Sequence, residues 1–138
     1  GSSQPDTPDS TVLTVRNSKA LAALMKVGDS CSEPIARFAD ENRGRTIEFN
    51  GSIVNVMQHG DYDTRYDILV APGSKGPNST VGPAFKFENV NVFDLNLTGD
   101  NPPASIQEGD RFRFAAEVVD YNQDQCLFRL DPVSTTAR

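Results

Sequence analysis

After Gly44 the apolar residues of this chain stop recurring at helical spacing and begin to alternate, and the new period persists almost to the end. A period of two puts successive side chains on opposite faces of a strand, so residues 45–138 are expected to form a sheet with one buried face. Ile47, Phe49, Gly51, Ile53 and Met57 fall on one face of a long first strand, with Gly51 in mid-strand where a bend or bulge is allowed. A second strand ends in Ile68, Leu69, Val70 and Ala71, and a third carries Phe85 and Phe87 with Val90 and Val92. In the fourth, Phe112, Phe114, Ala116 and Val118 alternate with Arg111, Arg113 and Glu117. The fifth is read with Cys126, Phe128 and Leu130 on its inner face, after a hairpin turn over residues 120–124. Residues 93–97 either extend the third strand or form a short separate element. Glycine and proline mark residues 72–83 and 98–103 as loops.

Five strands in an open sheet would leave two edges exposed, whereas closure removes them and gives the eight Phe a common interior. The expected fold is therefore mainly β (α+β), a five-stranded OB-like Greek-key barrel preceded by two short helices. Leu21, Leu24, Met25 and Val27 give the first helix its apolar stripe, with Asn17 or Ser18 as cap and Gly28 as the stop. The second starts near Ser32, Glu33 and Pro34, buries Ile35, Phe38 and Ala39, and closes at Arg43 and Gly44. The organisation read from this is a single domain: 1–11 a tag remnant and disordered stalk, 12–44 a helical lead-in packed on the barrel, 45–138 the barrel.

Thirteen basic against nineteen acidic residues leave a formal charge of −6, a field that repels phosphate backbones and anionic lipid surfaces. Nucleic acid is disfavoured as a partner, and no apolar run is long enough to span a bilayer. The polar, proline-containing residues 4–11 read as a stalk behind a removed signal peptide or anchor, so contact with a membrane is expected only through that missing anchor. An oxidising compartment follows from the same inference. There Cys31 and Cys126 are expected to pair, the alternative being two separate buried thiols.

Chemistry is sparse. His59 is the only imidazole, read as a solvated turn residue beside Gly60, and no hydrolase, zinc-protease, nucleotide or dinucleotide motif is present. Asp61, Asp63 and Asp67 have the look of a calcium loop, but Arg65 occupies a ligand position and Pro72 stands where a bidentate Glu is required. No catalytic residue, metal or cofactor is assigned. Tyr62, Tyr66 and Tyr121 fall in or beside the connections between strands 1 and 2 and strands 4 and 5, which flank the ligand face of OB folds. With Asp63, Arg65 and Asn122 they form the candidate ligand-binding set, set against the plain reading of tyrosines at strand ends. Arg111, Arg113 and Arg129, joined by Arg45, share an outer strip interrupted by Glu117 and Asp131, read as cross-strand ion pairing. Asn78-Ser79-Thr80 and Asn96-Leu97-Thr98 match the glycosylation sequon.

Three stretches, 43–51, 59–69 and 126–135, carry a resemblance. Arg43-Gly44-Arg45-Thr46-Ile47-Glu48-Phe49, His59-Gly60-Asp61-Tyr62-Asp63 and Cys126-Leu127-Phe128-Arg129-Leu130 resemble an uncharacterised bacterial domain-of-unknown-function family of exported or membrane-anchored proteins, related to OB-like domains. The resemblance spans roughly residues 12–138 and implies fold and compartment but no activity. The functional expectation is a non-catalytic, monomeric, extracytoplasmic binding or accessory module, secreted or anchored to the cell envelope, that contacts a protein or envelope saccharide. A single-stranded nucleic-acid-binding OB domain and a structural spacer are the alternatives.

Overall fold

The structure, a computed structural model, describes residues 12–61, 63–73, 82–98 and 106–137. Residues 1–11, expected to be a tag remnant and stalk, Tyr62, residues 74–81 with the sequon at Asn78, residues 99–105 and Arg138 lie outside the described residues.

Two short helices lead in. In α1 (Lys19–Leu24), Ser18 is the cap, its hydroxyl oxygen accepting the Leu21 N–H at 3.1 Å. The helix stops short of Gly28 because the Lys26 and Val27 N–H groups reach back only three residues, to Ala23 and Leu24, and tighten the chain into a turn. In α2 (Glu33–Glu41), Pro34 sits in the first turn and Ile35, Phe38 and Ala39 are buried. Gly44, at φ +86°, then turns the chain into the sheet and donates to the Val118 carbonyl at 2.9 Å.

The sheet comprises β1 (Thr46–Gln58), β2 (Tyr66–Pro72), β3 (Ala84–Val90), β4 (Leu97–Thr98), β5 (Arg111–Asn122) and β6 (Leu127–Ala137), with a 3₁₀ turn over Val92–Leu95. Its order is β3-β2-β1-β5-β6-β4, and β3 also pairs with β6 in parallel, Ala84 with Leu127 through Phe87 with Leu130. Five strands thereby close into a barrel, and the two-residue β4 is an appendage on β6. Phe85, Phe87, Phe114 and Phe128 fill the interior, with ring centroids 4.5 Å apart for Phe49 and Phe85, 5.3 Å for Phe85 and Phe128 and 5.5 Å for Phe49 and Phe114. Gly51 sits where β1 pairs with both neighbours: a Cβ there would stand 2.8 Å from the Ala71 carbonyl oxygen and 3.2 Å from the Phe114 ring.

Several expectations change in detail. The pairing of β1 with β2 slips between Ile53 and Asn55, and one extra residue exchanges the faces beyond it, so that Val56 packs on the core and Met57 is exposed. The last hairpin is longer than its alternation suggested: Asp120, Tyr121 and Asn122 belong to β5, and the turn covers residues 123–126. Cys126 is therefore not on the inner face of a strand but in that turn, in the left-handed region at φ +57°. Val92–Leu95 is a separate 3₁₀ turn fixed by a reciprocal cap between Asn91 and Asp94, which neither extends β3 nor joins it.

Candidate functional site

The connection between β1 and β2 is held by side chains of its own hairpin. Tyr66 opens β2 opposite Gln58 and Val90, and its hydroxyl donates to the Asp63 carbonyl at 3.0 Å. Asp63 in turn accepts from the Gln58 amide at 3.4 Å. His59 is not a solvated turn residue: it is half-buried, with Nδ1 2.9 Å from Asp67 Oδ1. The same Asp67 oxygen accepts the Asn89 N–H at 2.9 Å.

Asn89 explains that arrangement. It takes a left-handed conformation, φ +56°, where β3 slips against β2 between Tyr66 and Ile68, and Asp67 receives the N–H group that the slip turns out of the ladder. Arg65 locks the outer side, its Nε donating to Asn89 Oδ1 at 3.0 Å while a terminal nitrogen stands 3.7 Å from Asp94. Asp94 closes the chain of contacts by accepting the Asn91 N–H at 3.0 Å. One polar network thus runs from His59 through Asp67, Asn89 and Arg65 to the 3₁₀ turn. On that turn the Phe93 ring is 90% exposed.

The connection between β5 and β6 is a different place. Tyr121 pairs with Phe128, whose partner on β3 is Phe85, whereas Tyr66 pairs with Val90, so the two tyrosines are separated by about 16 Å along β3. Tyr121 leans on the core and its hydroxyl donates to the Ser30 carbonyl at 2.5 Å. Burial, with the Asp29 carboxylate nearby, holds its pKa above the usual tyrosine value. Asn122 caps the turn, accepting the Gln125 N–H at 3.1 Å. Cys31 and Cys126 are joined by a disulfide across 95 residues of chain, which ties the start of α2 to this hairpin. Between α2 and the hairpin lies a groove of about 570 Å³. Most of its charges are paired: Arg37 with Glu33, Arg43 with Asp40 at 3.3 Å, and Asp120 with Arg129, while Asp124 also lines it. The candidate set is thus split, with Asp63, Arg65 and Tyr66 at one end of the barrel and Tyr121 and Asn122 at the other.

The expected cross-strand ion pair forms at Arg129, with Asp120 directly opposite it on β5 rather than with Glu117 or Asp131. Arg129 binds Asp120 with two donors, at 2.6 and 2.5 Å, and reaches Glu88 at 3.5 Å. The Arg129 hydrogen bond pulls the Asp120 pKa below its ordinary 3.8 against the opposing effect of burial, with the charges of Arg129 and Arg43 adding to the pull. A depressed carboxylate stabilises the fold above its unfolded pKa and loses that contribution as pH falls through the folded value. Asp120→Asn is therefore expected to flatten the acid side of the stability–pH curve, below about pH 4, in urea melts taken at half-unit steps. Parallel curves for the two proteins would show that the pair contributes nothing to acid sensitivity.

Phe93 is the feature the sequence reading passed over. Its signal was present, because Asn91 and Asp94 at cap spacing predict a turn that forces the intervening ring off the strand pattern. Among the described residues no helix is long and apolar enough to cross a membrane, and no three His, Cys, Asp or Glu side chains are grouped to hold a metal ion. A family model described as "Domain of unknown function (DUF4839)" matches residues 16–138. No curated protein and no solved structure matches the chain.

Proposed function

The chain belongs to the DUF4839 family, and from that premise we propose that it is a non-catalytic, extracytoplasmic binding module with an OB-like barrel, whose contact face is the barrel end carrying Arg65, Tyr66 and Phe93. The observation that carries this reading is the Phe93 ring, almost wholly in water on a turn whose reciprocal cap and Arg65–Asp94 pair leave it little freedom. A rigid aromatic plate flanked by a guanidinium, a carboxylate and an amide matches a sugar: the ring stacks on the apolar face of a pyranose and the polar groups meet its hydroxyls. Of a protein and an envelope saccharide, the saccharide is the better match.

The OB-like assignment is supported by the strand order with its parallel β3–β6 closure. Export is supported by the disulfide, since such bonds persist in oxidising compartments. The non-catalytic reading is supported by the work His59 and Asp67 already do for the Asn89 bulge. Single-stranded nucleic acid is the weaker reading, because Lys86 and Arg129 on the outer face meet Glu88 and Asp120 in a chain of net charge −6. Co-sedimentation with purified, insoluble cell-wall polysaccharide tests the proposal. The wild-type chain is expected in the pellet, with Phe93→Ala and Arg65→Ala left in the supernatant. Equal pelleting of all three, or none, would remove this face from consideration.

A further inference from the structure

We infer that a second groove, formed by the entry segment, α1 and the outer sides of β1 and β5, binds a small organic anion: a carboxylate or phosphate head on an apolar body. The groove uses none of the residues of the saccharide face and lies at the far end of β2 from Tyr66, beside Gly73.

The entry segment is fixed in place before α1 begins. Leu13 donates to the Thr46 carbonyl at 2.9 Å and accepts the Glu48 N–H at 2.8 Å, bridging onto β1 at Ile47. Thr14 and Asn17 then close a turn, with the Thr14 N–H on Asn17 Oδ1 at 2.9 Å and the Asn17 amide on the Val12 carbonyl at 3.0 Å. That turn presents Val15, 51% exposed, and Arg16 at the groove. Met25 after α1, Glu48 and Asn50 of β1, and Arg113 of β5 complete the lining of a space of about 500 Å³, a volume typical of small-molecule sites. Arg113 lies directly across from Asn50 in the β1–β5 register.

The charges here are what set the groove apart. Arg37, Arg43, Arg65 and Arg129 each meet a carboxylate, but among the described residues no hydrogen bond or ion pair engages the guanidinium of Arg16 or Arg113. Arg111 is also without a carboxylate among the described residues, but only Arg16 and Arg113 converge on one groove, in a chain of net charge −6. A guanidinium offers a planar fork of donors that fits a carboxylate or phosphate with two parallel bonds. Val15 and Met25 supply an apolar surface beside that fork. Glu48 lines the same space and leaves the set with one net positive charge, so binding is expected to tighten when it is neutralised.

The test is an NMR titration of the full chain with octanoate, octyl phosphate, 1-octanol and inorganic phosphate. Saturable shifts of the Val15, Arg16, Asn50 and Arg113 amides are expected with octanoate or octyl phosphate and not with 1-octanol or inorganic phosphate; the stronger of the first two identifies the head group. Arg16→Gln and Arg113→Gln are each expected to weaken binding about tenfold, and Glu48→Gln to strengthen it severalfold. Arg16 and Arg113 are exposed and Glu48 is half-buried, none of the three in the core, so the variants are expected to fold, which their amide spectra report directly. Absence of saturable shifts in the folded wild type, equal binding of 1-octanol, or affinities unchanged in Arg16→Gln and Arg113→Gln would overturn the inference. Failure of the saccharide face leaves this result untouched, and the reverse also holds.

Discussion

Replacing Cys31 and Cys126 together by serine is expected to lower the unfolding free energy by roughly 4–5 kcal/mol. The magnitude follows from the sequence separation of 95 between the two positions, because a crosslink restricts the unfolded chain more as the loop it closes grows. Against a total of about 5–15 kcal/mol for a domain, that is a large share. It corresponds to a fall in melting temperature on the order of 15 °C.

The folded-state contacts at this seam are modest by comparison. The Tyr121–Ser30 hydrogen bond contributes about 1 kcal/mol, and the exposed Arg37–Glu33 and Arg43–Asp40 pairs a few tenths each. The buried Ile35, Phe38 and Ala39 still hold α2 on the barrel when the bond is cut. The reduced protein should therefore unfold at lower urea but in a single transition. A loss below about 1 kcal/mol in paired urea melts would show that the unfolded chain is already held compact in this region, and the loop-entropy account would fail.

The barrel was readable because its inner residues are large, apolar and at period two: Ile47, Phe49, Phe85, Phe87, Phe112, Phe114, Phe128 and Leu130 are all buried as the alternation requires. What alternation does not encode is register. Nothing in the run from Ile53 to Met57 announces the extra residue that turns Met57 outward, because Val54 and Val56 suit either face. The split of the candidate site has the same origin. Tyr66 and Tyr121 both stand at strand ends, but which ends meet depends on the pairing of β3 with β6, a contact made only when the barrel closes. His59 and Asp67 were likewise opaque, since their role depends on the left-handed Asn89, 22 residues beyond Asp67 in the chain. The Cys31–Cys126 pairing was expected from compartment, and no residue pattern dictated it.

Phe114→Ala is expected to destabilise the fold by about 3–5 kcal/mol, whereas Phe93→Ala should change stability by less than about 0.5 kcal/mol. The two rings are chemically identical and differ in surroundings. Phe114 is fully buried in the middle of β5, opposite Phe49 on β1 and Thr135 on β6, with Phe87 and Phe112 also against its ring. Truncating it removes the transfer free energy of the ring and leaves a cavity that the hydrogen-bonded barrel wall cannot collapse to fill. Gly51 adds to the rigidity there, because β1 reaches Phe114 only through the space its missing side chain leaves. Phe93 has nothing to lose on that scale, its ring being already in water. Paired denaturant melts of the two variants should therefore separate widely in midpoint with similar slopes. Phe93→Ala should keep the wild-type midpoint while losing the saccharide pellet. If Phe93→Ala instead cost several kcal/mol, the ring would be holding the 3₁₀ turn against β6 and would no longer be a plate held out for a ligand.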